Sequence, residues 1–309
     1  MITNHKSLLG IAELEPDEIN EVLDAAEPFK EVQSRSIKKV PALRGVTVVN
    51  LFFENSTRTR SSFEIAEKRL SADVLNFSVS TSSVAKGESL RDTAQNIEAM
   101  NADMIVMRHG SAGACHFLDQ HVRSRVINAG DGQHEHPTQA LLDASTLREK
   151  LGKIEGLNVV ILGDIDHSRV ARSNIFLLTK LGANVTVCGP PTMLPPEIEA
   201  LGVTCTTDVR RALRDADAVN VLRIQFERQH EPLIPSIREY ARYFGINREK
   251  LSEVPNGITV LHPGPMNRGT EIDHEVAEDH AETILRQVSN GVAVRMAVLY
   301  LMSGGEVQN

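Results

Sequence analysis

Cysteine is scarce in this chain of 309 residues, with three in all. Cys115, Cys188 and Cys205 are odd in number, widely spaced and form no C-x-x-C pair. Neither a disulfide framework nor a cysteine-built zinc site is therefore suggested, and a reducing, cytoplasmic setting is expected. Long apolar runs are missing too. No stretch approaches the roughly 18 residues that a membrane span needs. The segment "VAVRMAVLYLM" (292–302) is short and broken by Arg295, which predicts a packed terminal helix. The start, "MITNHKSLLGIAELEPDEI", has no long apolar core and turns acidic early, unlike a secretory signal. Positive charge is in deficit, with a net charge of −8, so no general nucleic-acid or membrane surface is expected. Neither G-x-x-x-x-G-K-[ST] nor G-x-G-x-x-G occurs, which argues against a nucleotide P-loop and a dinucleotide fold. There is no internal repeat and no low-complexity tract.

What remains is an ordinary globular composition, 41% hydrophobic and 24% charged, at a length that suggests about two domains. Short β-branched runs alternate with helical patterns. "GVTVVNLFF" (45–53), "DVLNFSV" (73–79), "ADMIVMR" (102–108) and "RVINAG" (125–130) read as strands. A long helix then begins at "PTQALLDASTLREKLG", with proline at its first turn. After "GKIEG" the pattern restarts with "LNVVILGD", "NVTVCGP", "VTCT", "DAVNVL" and "ITVLHPGP". Such alternation predicts an α/β protein of two doubly wound parallel-sheet domains, joined near residues 137–152. The charged segment around 225–250 reads as a surface loop leading to a helix.

Ligands of parallel sheets bind beyond the carboxyl ends of the strands, so the polar residues after each apolar run are the informative ones. "ENSTRTR", "MRHG", "GQHEHPTQ", "GDIDHSRV", "VLRIQFER" and "LHPGP" occupy those places. They supply Arg58, Arg108, His136, Arg169 and Arg223, which implies a substrate bearing several negative charges. At Ser56–Thr59 the chain turns from strand to helix, leaving about four amides without helical partners and a partial positive charge. Hydroxyls and an arginine at that point suit a phosphate. Helix capping by Ser56, or by Ser61 with Glu64 at capping-box spacing, accounts for one serine but not for two arginines. "STSSVAKGESLRDT" (80–93), taken alone, reads as a surface loop ending in a helix start. His134 and His136 stand at an H-x-H spacing that metal-dependent hydrolases use. No accompanying lysine–histidine–aspartate set is apparent and Pro137 forces an immediate helix start, so no metal is expected. His136 then reads as a neutral donor able to polarise a carbonyl, with a structural histidine the alternative reading for His134.

In this order and spacing, "FFENSTRTRSSFE", "KGESLRDT", "MRHG", "HPTQALLD", "VLRIQFER" and "HPGP" resemble the aspartate/ornithine carbamoyltransferase family over nearly the whole chain. The aspartate branch is the better match. Pro263 stands where the ornithine branch carries the cysteine of "HCLP", and "VLRIQFER" supplies Arg223 and Gln225. The resemblance implies a carbamoyl-phosphate domain over 1–137, with a C-terminal helix of about 288–309 packing back on it, and an aspartate domain over 138–287. The active site is expected between the two. Ser56, Thr57, Arg58 and Thr59 are then expected to hold the phosphate. Arg108, His136 and Thr59 surround the carbamoyl oxygen, with Gln139 at the carbamoyl nitrogen. Arg169, Arg223 and Gln225 take the aspartate carboxylates, joined by Gly264 and Pro265, although "HPGP" departs from the "HPLP" of some members at Gly264. Ser82 and Lys86 would enter from a neighbouring chain of a homotrimer. Glu54 and Arg228 are implied in charge links that orient the site, with Arg169 as the expected partner of Glu54.

The implied reaction carbamoylates the α-amino group of L-aspartate without a covalent enzyme intermediate, in pyrimidine biosynthesis, and needs no cofactor. Substrate closure of the two domains is expected. The partners are carbamoyl phosphate and L-aspartate, with room for a regulatory chain or a dihydroorotase, and neither nucleic acid nor membrane. Rival readings are a carbamoyltransferase for ornithine or a related amino acid, a metal-dependent amidohydrolase, and a non-catalytic scaffold.

Overall fold

Each run read as a strand becomes one, and most are followed by a helix. In the computed structural model, residues 2–78, 88–225, 233–255 and 257–305 are described. The first sheet has the order β2-β1-β3-β4, all parallel, from β1 (Thr47–Phe52), β2 (Asp73–Ser78), β3 (Met104–His109) and β4 (Arg125–Asp131). The second has the order β7-β6-β5-β8-β9, also parallel, from β5 (Asn158–Leu162), β6 (Asn184–Cys188), β7 (Thr204–Thr206), β8 (Ala218–Val221) and β9 (Thr259–Leu261). The expected pair of parallel-sheet α/β domains is therefore present. The chain divides into two compact units, Met1–Leu142 with Ser289–Asn309, and Asp143–Val288.

In the first unit, alternation along the strands sends Val49, Leu51, Ile105, Met107 and Val126 to one face. There they pack with Ala94 and Ile97 of α3 (Leu90–Glu98) and with Cys115 and Leu118 of α4 (Ala114–Asp119). Asn50, one position out of phase, bonds to Glu67 of α2 (Thr57–Arg69) instead. The helix α11 (Ala281–Met302) ends on this unit, as expected of the C-terminal segment. Arg295, which interrupts its apolar run, is buried with its guanidinium 5.0 Å from the Phe63 ring centroid. Tyr300 meets Phe29 edge-on at 5.9 Å. Phe29 belongs to α1 (Pro16–Ser34), a helix absent from the alternation read in the sequence, whose Ile19, Val22, Leu23 and Ala26 are buried at helical spacing.

In the second unit, Val160, Leu162, Val219, Val221 and Val260 pack against α7 (Val209–Leu213) and α10 (His274–Asp279). Asn220 points the other way, toward the side that carries α6 (Arg169–Lys180). Two further helices, α8 (Ile237–Tyr243) and α9 (Arg248–Ser252), follow β8, and α5 (Pro137–Leu151) precedes β5. Among the described residues, no helix is long and apolar enough to cross a membrane.

Beneath α2 lies a polar pair with a measurable consequence. Asn50 Nδ2 donates to Glu67 Oε2 at 2.8 Å, while Asn50 Oδ1 and Glu67 Oε1 are buried with no hydrogen-bond partner. Burial pushes the Glu67 carboxyl up to about 8 from its usual 4.5, against the pull of the Asn50 hydrogen bond. Between those values the unfolded chain has lost this proton and the folded chain keeps it, so stability falls as pH rises through the window. Glu67→Gln has no such proton. Its denaturant midpoint should exceed the parent's at pH 8.5 by the equivalent of ~2 kcal/mol or more, and the gap should nearly close at pH 5. An equal gap at both pH values would show that Glu67 does not titrate in this range.

Candidate active site

Parallel pairing delivers the carboxyl ends of β1, β3 and β4 to one edge of the first sheet. Phe52 pairs with Arg108, and Phe53 N donates to Arg108 O at 2.9 Å, which sets Arg108 beside the β1–α2 turn. Ser56 occupies the N-cap position of α2, yet its side chain makes no capping hydrogen bond, and Ser61 lies inside the helix. The expectation that a serine caps α2 therefore fails on both residues. The first turn, with Thr57, Arg58 and the buried Thr59, keeps its positive end for something other than its own serine. Arg108 is held on two sides, with Nη1 donating to Ala129 O at 3.1 Å and Nε 3.3 Å from Glu54 Oε2. Within its own unit, then, Glu54 is an ion-pair partner of Arg108.

His136 follows β4 and sits just ahead of Pro137, 4% exposed, with its carbonyl accepting from Gln139 N at 2.9 Å. Gln139 is buried in the first turn of α5. The loop between β4 and His136 is pinned by residues to which the sequence assigned no role. Asp131, fully buried, accepts from Asn128 Nδ2 at 2.7 Å, Gly113 N at 2.8 Å and Glu135 N at 3.2 Å. Burial raises its carboxyl, but hydrogen bonds from His134 and Asn128, the His134 charge and the Gly113 amide outweigh that and hold it below the usual range. Glu135, also fully buried, accepts from Ile11 N at 2.8 Å and Ala12 N at 3.1 Å. A Cβ on Gly10 would overlap that carboxylate and push it off the two amides it holds. The segment before it joins the sheet through Leu8, which bridges in parallel to Ile127.

The second sheet presents its own set at the ends of β5, β8 and β9. Arg169 opens α6 and is 3% exposed, behind the N-cap Ser168, whose Oγ accepts from Ala171 N at 3.1 Å. Asp164 orients the preceding loop by accepting from His167 Nδ1 at 2.8 Å and His167 N at 3.2 Å. Gln225 Nε2 donates to His167 O at 3.2 Å, which ties the end of β8 to that loop, with the half-buried Arg223 two residues before it. Gly264, at φ 63°, donates its N–H to His262 Nδ1 at 2.8 Å, so the other nitrogen, Nε2, carries the proton toward Glu271 Oε1 at 3.3 Å. Pro265 follows on the same loop.

Asp143 underlies this second set. It accepts from Asn174 Nδ2 at 2.9 Å, Asn220 Nδ2 at 3.1 Å and Gln287 Nε2 at 2.8 Å, and Gln287 Oε1 in turn accepts from His262 N at 2.9 Å. One buried carboxylate thus joins α6, β8 and the β9 loop. The structure gathers Ser56, Thr57, Arg58, Thr59, Arg108, His136 and Gln139 at one sheet edge, and Arg169, Arg223, Gln225, Gly264 and Pro265 at the other. Ser82, Lys86 and Arg228 lie outside the described residues. Chemically, the first set suits an oxyanion with an adjoining carbonyl. The second suits carboxylates.

Comparison with known proteins bears directly on these two sets. The family described as aspartate/ornithine carbamoyltransferase, carbamoyl-P binding domain, matches residues 6–149, and the Asp/Orn binding domain of the same family matches residues 155–302. The chain is similar to the aspartate carbamoyltransferase catalytic subunit of Geobacter sulfurreducens, 60% identical over 98% of each chain. That of Halothermothrix orenii is 57% identical over 100% of this chain and 99% of its own. Among solved structures, aspartate transcarbamoylase from Trypanosoma cruzi in complex with carbamoyl phosphate and aspartate is similar at a TM-score of 0.86, with 28% identity over 95% of each chain. The catalytic subunit of M. jannaschii aspartate transcarbamoylase has a TM-score of 0.83, with 33% identity over 97% of this chain and 98% of its own.

The Asp143 hub allows a direct stability test. Asp143→Ala strands three buried amide donors, each costing roughly 1–3 kcal/mol. Chemical denaturation should show a loss of about 3 kcal/mol or more, and a loss below ~1 kcal/mol would mean the hub is dispensable.

Proposed function

The chain belongs to the aspartate/ornithine carbamoyltransferase family, and from that premise we infer that it transfers the carbamoyl group of carbamoyl phosphate to the α-amino group of L-aspartate. The products are N-carbamoyl-L-aspartate and phosphate, a step of pyrimidine biosynthesis. The observation that carries aspartate over ornithine is Arg223 with Gln225 at the end of β8, together with Pro263 where a cysteine would stand. A guanidinium attracts a second carboxylate and repels a side-chain ammonium.

In this reading Ser56, Thr57, Arg58 and Thr59 bind the phosphate at the start of α2, whose amides and partial positive charge favour an anion. Arg108, His136 and Thr59 donate to the carbamoyl oxygen as it becomes an oxyanion, and Gln139 accepts from the carbamoyl NH2. Each such donor lowers the barrier by about 2–4 kcal/mol. Arg169, Arg223 and Gln225, with Gly264 and Pro265, hold aspartate. The amine attacks the carbamoyl carbon, the tetrahedral intermediate collapses, and the departing phosphate takes the amine's proton. Holding two anions together in attack geometry recovers several kcal/mol more. The Glu54 carboxylate beside Arg108 fixes the direction of that guanidinium.

Ser82 and Lys86 complete the phosphate site from a neighbouring chain of a homotrimer, and the enzyme works in the cytoplasm. Support for these last points is the family resemblance and the sparse, unpaired cysteines.

The purified chain should form N-carbamoylaspartate only when carbamoyl phosphate and aspartate are both present, and ornithine should give no product. Carbamoylation of ornithine at a comparable rate would overturn the assignment. Arg58→Ala should reduce turnover about 1,000-fold with its thermal midpoint preserved. Arg223→Ala should raise the KM for aspartate about tenfold or more while the KM for carbamoyl phosphate changes much less.

A further inference from the structure

The H-x-H pair of the sequence, His134 with His136, separates in the fold, since His136 leads into α5 while His134 faces a different histidine. The His134 ring lies edge-to-face with that of His116 on α4, with centroids 5.3 Å apart. The Asp131 carboxylate joins them, and one ligand atom from each of His116, Asp131 and His134 lies within 4.8 Å of the other two. Three segments of the first unit supply these groups: α4, the end of β4 and the turn that follows it. We propose that His116, Asp131 and His134 form a binding site for a divalent transition metal of the zinc class, separate from the substrate residues.

Four features of the donor set fit such an ion. His134 Nδ1 stands 3.2 Å from both Asp131 oxygens. Two ligands on one tetrahedral Zn²⁺ with bonds of about 2.0–2.1 Å stand roughly 3.3 Å apart, so this pair already has the spacing of ligands sharing an ion. Asp131 is fixed in direction by Asn128 Nδ2, Gly113 N and Glu135 N, which take three of the approximately four lone-pair positions of a carboxylate. The remaining one is directed to His134, where a metal would replace the shared proton. His116 Nε2 is 2.6 Å from Glu13 Oε1, a carboxylate–histidine contact that puts the ring proton on Nε2 and the lone pair on Nδ1. His116 Nδ1 is buried and has no hydrogen-bond partner.

The set is of mixed accessibility. The His116 and His134 side chains are 34% and 32% exposed, while Asp131 is fully buried, so an ion can enter from solvent onto a prefixed carboxylate. Two imidazoles and one carboxylate suit Zn²⁺, Co²⁺ or Ni²⁺ rather than Mg²⁺ or Ca²⁺, and water completes a tetrahedron. Binding requires small closures of the ring nitrogens onto the ion, and frees His134 Nδ1 of its proton, which a neutral imidazole then carries on Nε2. The ion would fasten α4 to the turn that precedes His136. Gly132 belongs to that turn at φ 48°, and a Cβ there would strike the Ala112 backbone, so the turn has a single close-fitted path.

The test uses the full chain stripped of metal with a chelator, then titrated with ZnCl2 by calorimetry and with CoCl2 by visible absorption. One ion per chain is expected, with tetrahedral Co²⁺ bands in the visible region and a rise of about 2 °C or more in thermal midpoint at saturating Zn²⁺. His116→Ala and His134→Ala alter partly exposed side chains and should fold. Each should weaken Zn²⁺ binding at least tenfold and abolish the thermal shift, while His121→Ala, a partly exposed histidine on the same unit, should change neither. Equal binding by the parent and both variants would place the metal elsewhere and overturn the proposal, as would no binding by the parent.

Discussion

Parallel strand pairing is the constraint on which the rest of this molecule depends. It sends the carboxyl end of every strand to the same edge of its sheet, and each helix that follows starts at that edge with its positive end forward. Residues far apart in sequence, such as Arg58, Arg108 and His136, arrive together because β1, β3 and β4 are neighbours in one sheet. Arg169, Arg223 and Gly264 arrive together for the same reason at the ends of β5, β8 and β9. A chain with a net charge of −8 thereby builds two local islands of positive charge without a basic surface.

An edge made of loops must be held still if it is to orient substrates, and here buried carboxylates hold it. Asp131 and Glu135 gather backbone amides of the β4–α5 turn, of the segment before α4 and of the N-terminal segment around His136. Asp143 gathers three side-chain amides behind the second set. Each carboxylate is buried with several donors around it, the condition under which a buried charge is tolerated rather than ruinous. Glu67 shows the contrast. With one amide donor and a burial that outweighs both that bond and the Lys68 charge, it is driven toward its neutral form. Asp131 differs in the donors and the His134 charge that surround it.

The apolar packing sets where these loops begin. Val49, Leu51, Ile105 and Met107 fill one face of the first sheet, and Arg295 is accommodated against the Phe63 ring. Gly291 leaves room for that guanidinium, since a Cβ there would press on Arg295 Nη1 at 2.7 Å. The C-terminal helix thus returns to the unit that holds α2, and Arg295 steadies that helix through Phe63.

By itself the sequence determined the strands, because β-branched runs bounded by glycine and polar turns read the same way in any context. It also determined the strand-end residues that carry charge, and with them the family and the chemistry. Helix α1 was hidden, since its buried Ile19, Val22, Leu23 and Ala26 are spread through a largely acidic segment. The roles of Glu135, Asp143 and Glu67 were hidden as well, because an acidic residue shows its meaning only through the amides brought around it. Ser56 reads as a cap and does not cap. His134 shows no partner in the sequence beyond its spacing from His136, and in the fold it meets His116 of α4. Local propensity depends on neighbours in the chain and is written there. Partnership between buried polar groups depends on neighbours in space, and only the packing of the sheets decides those.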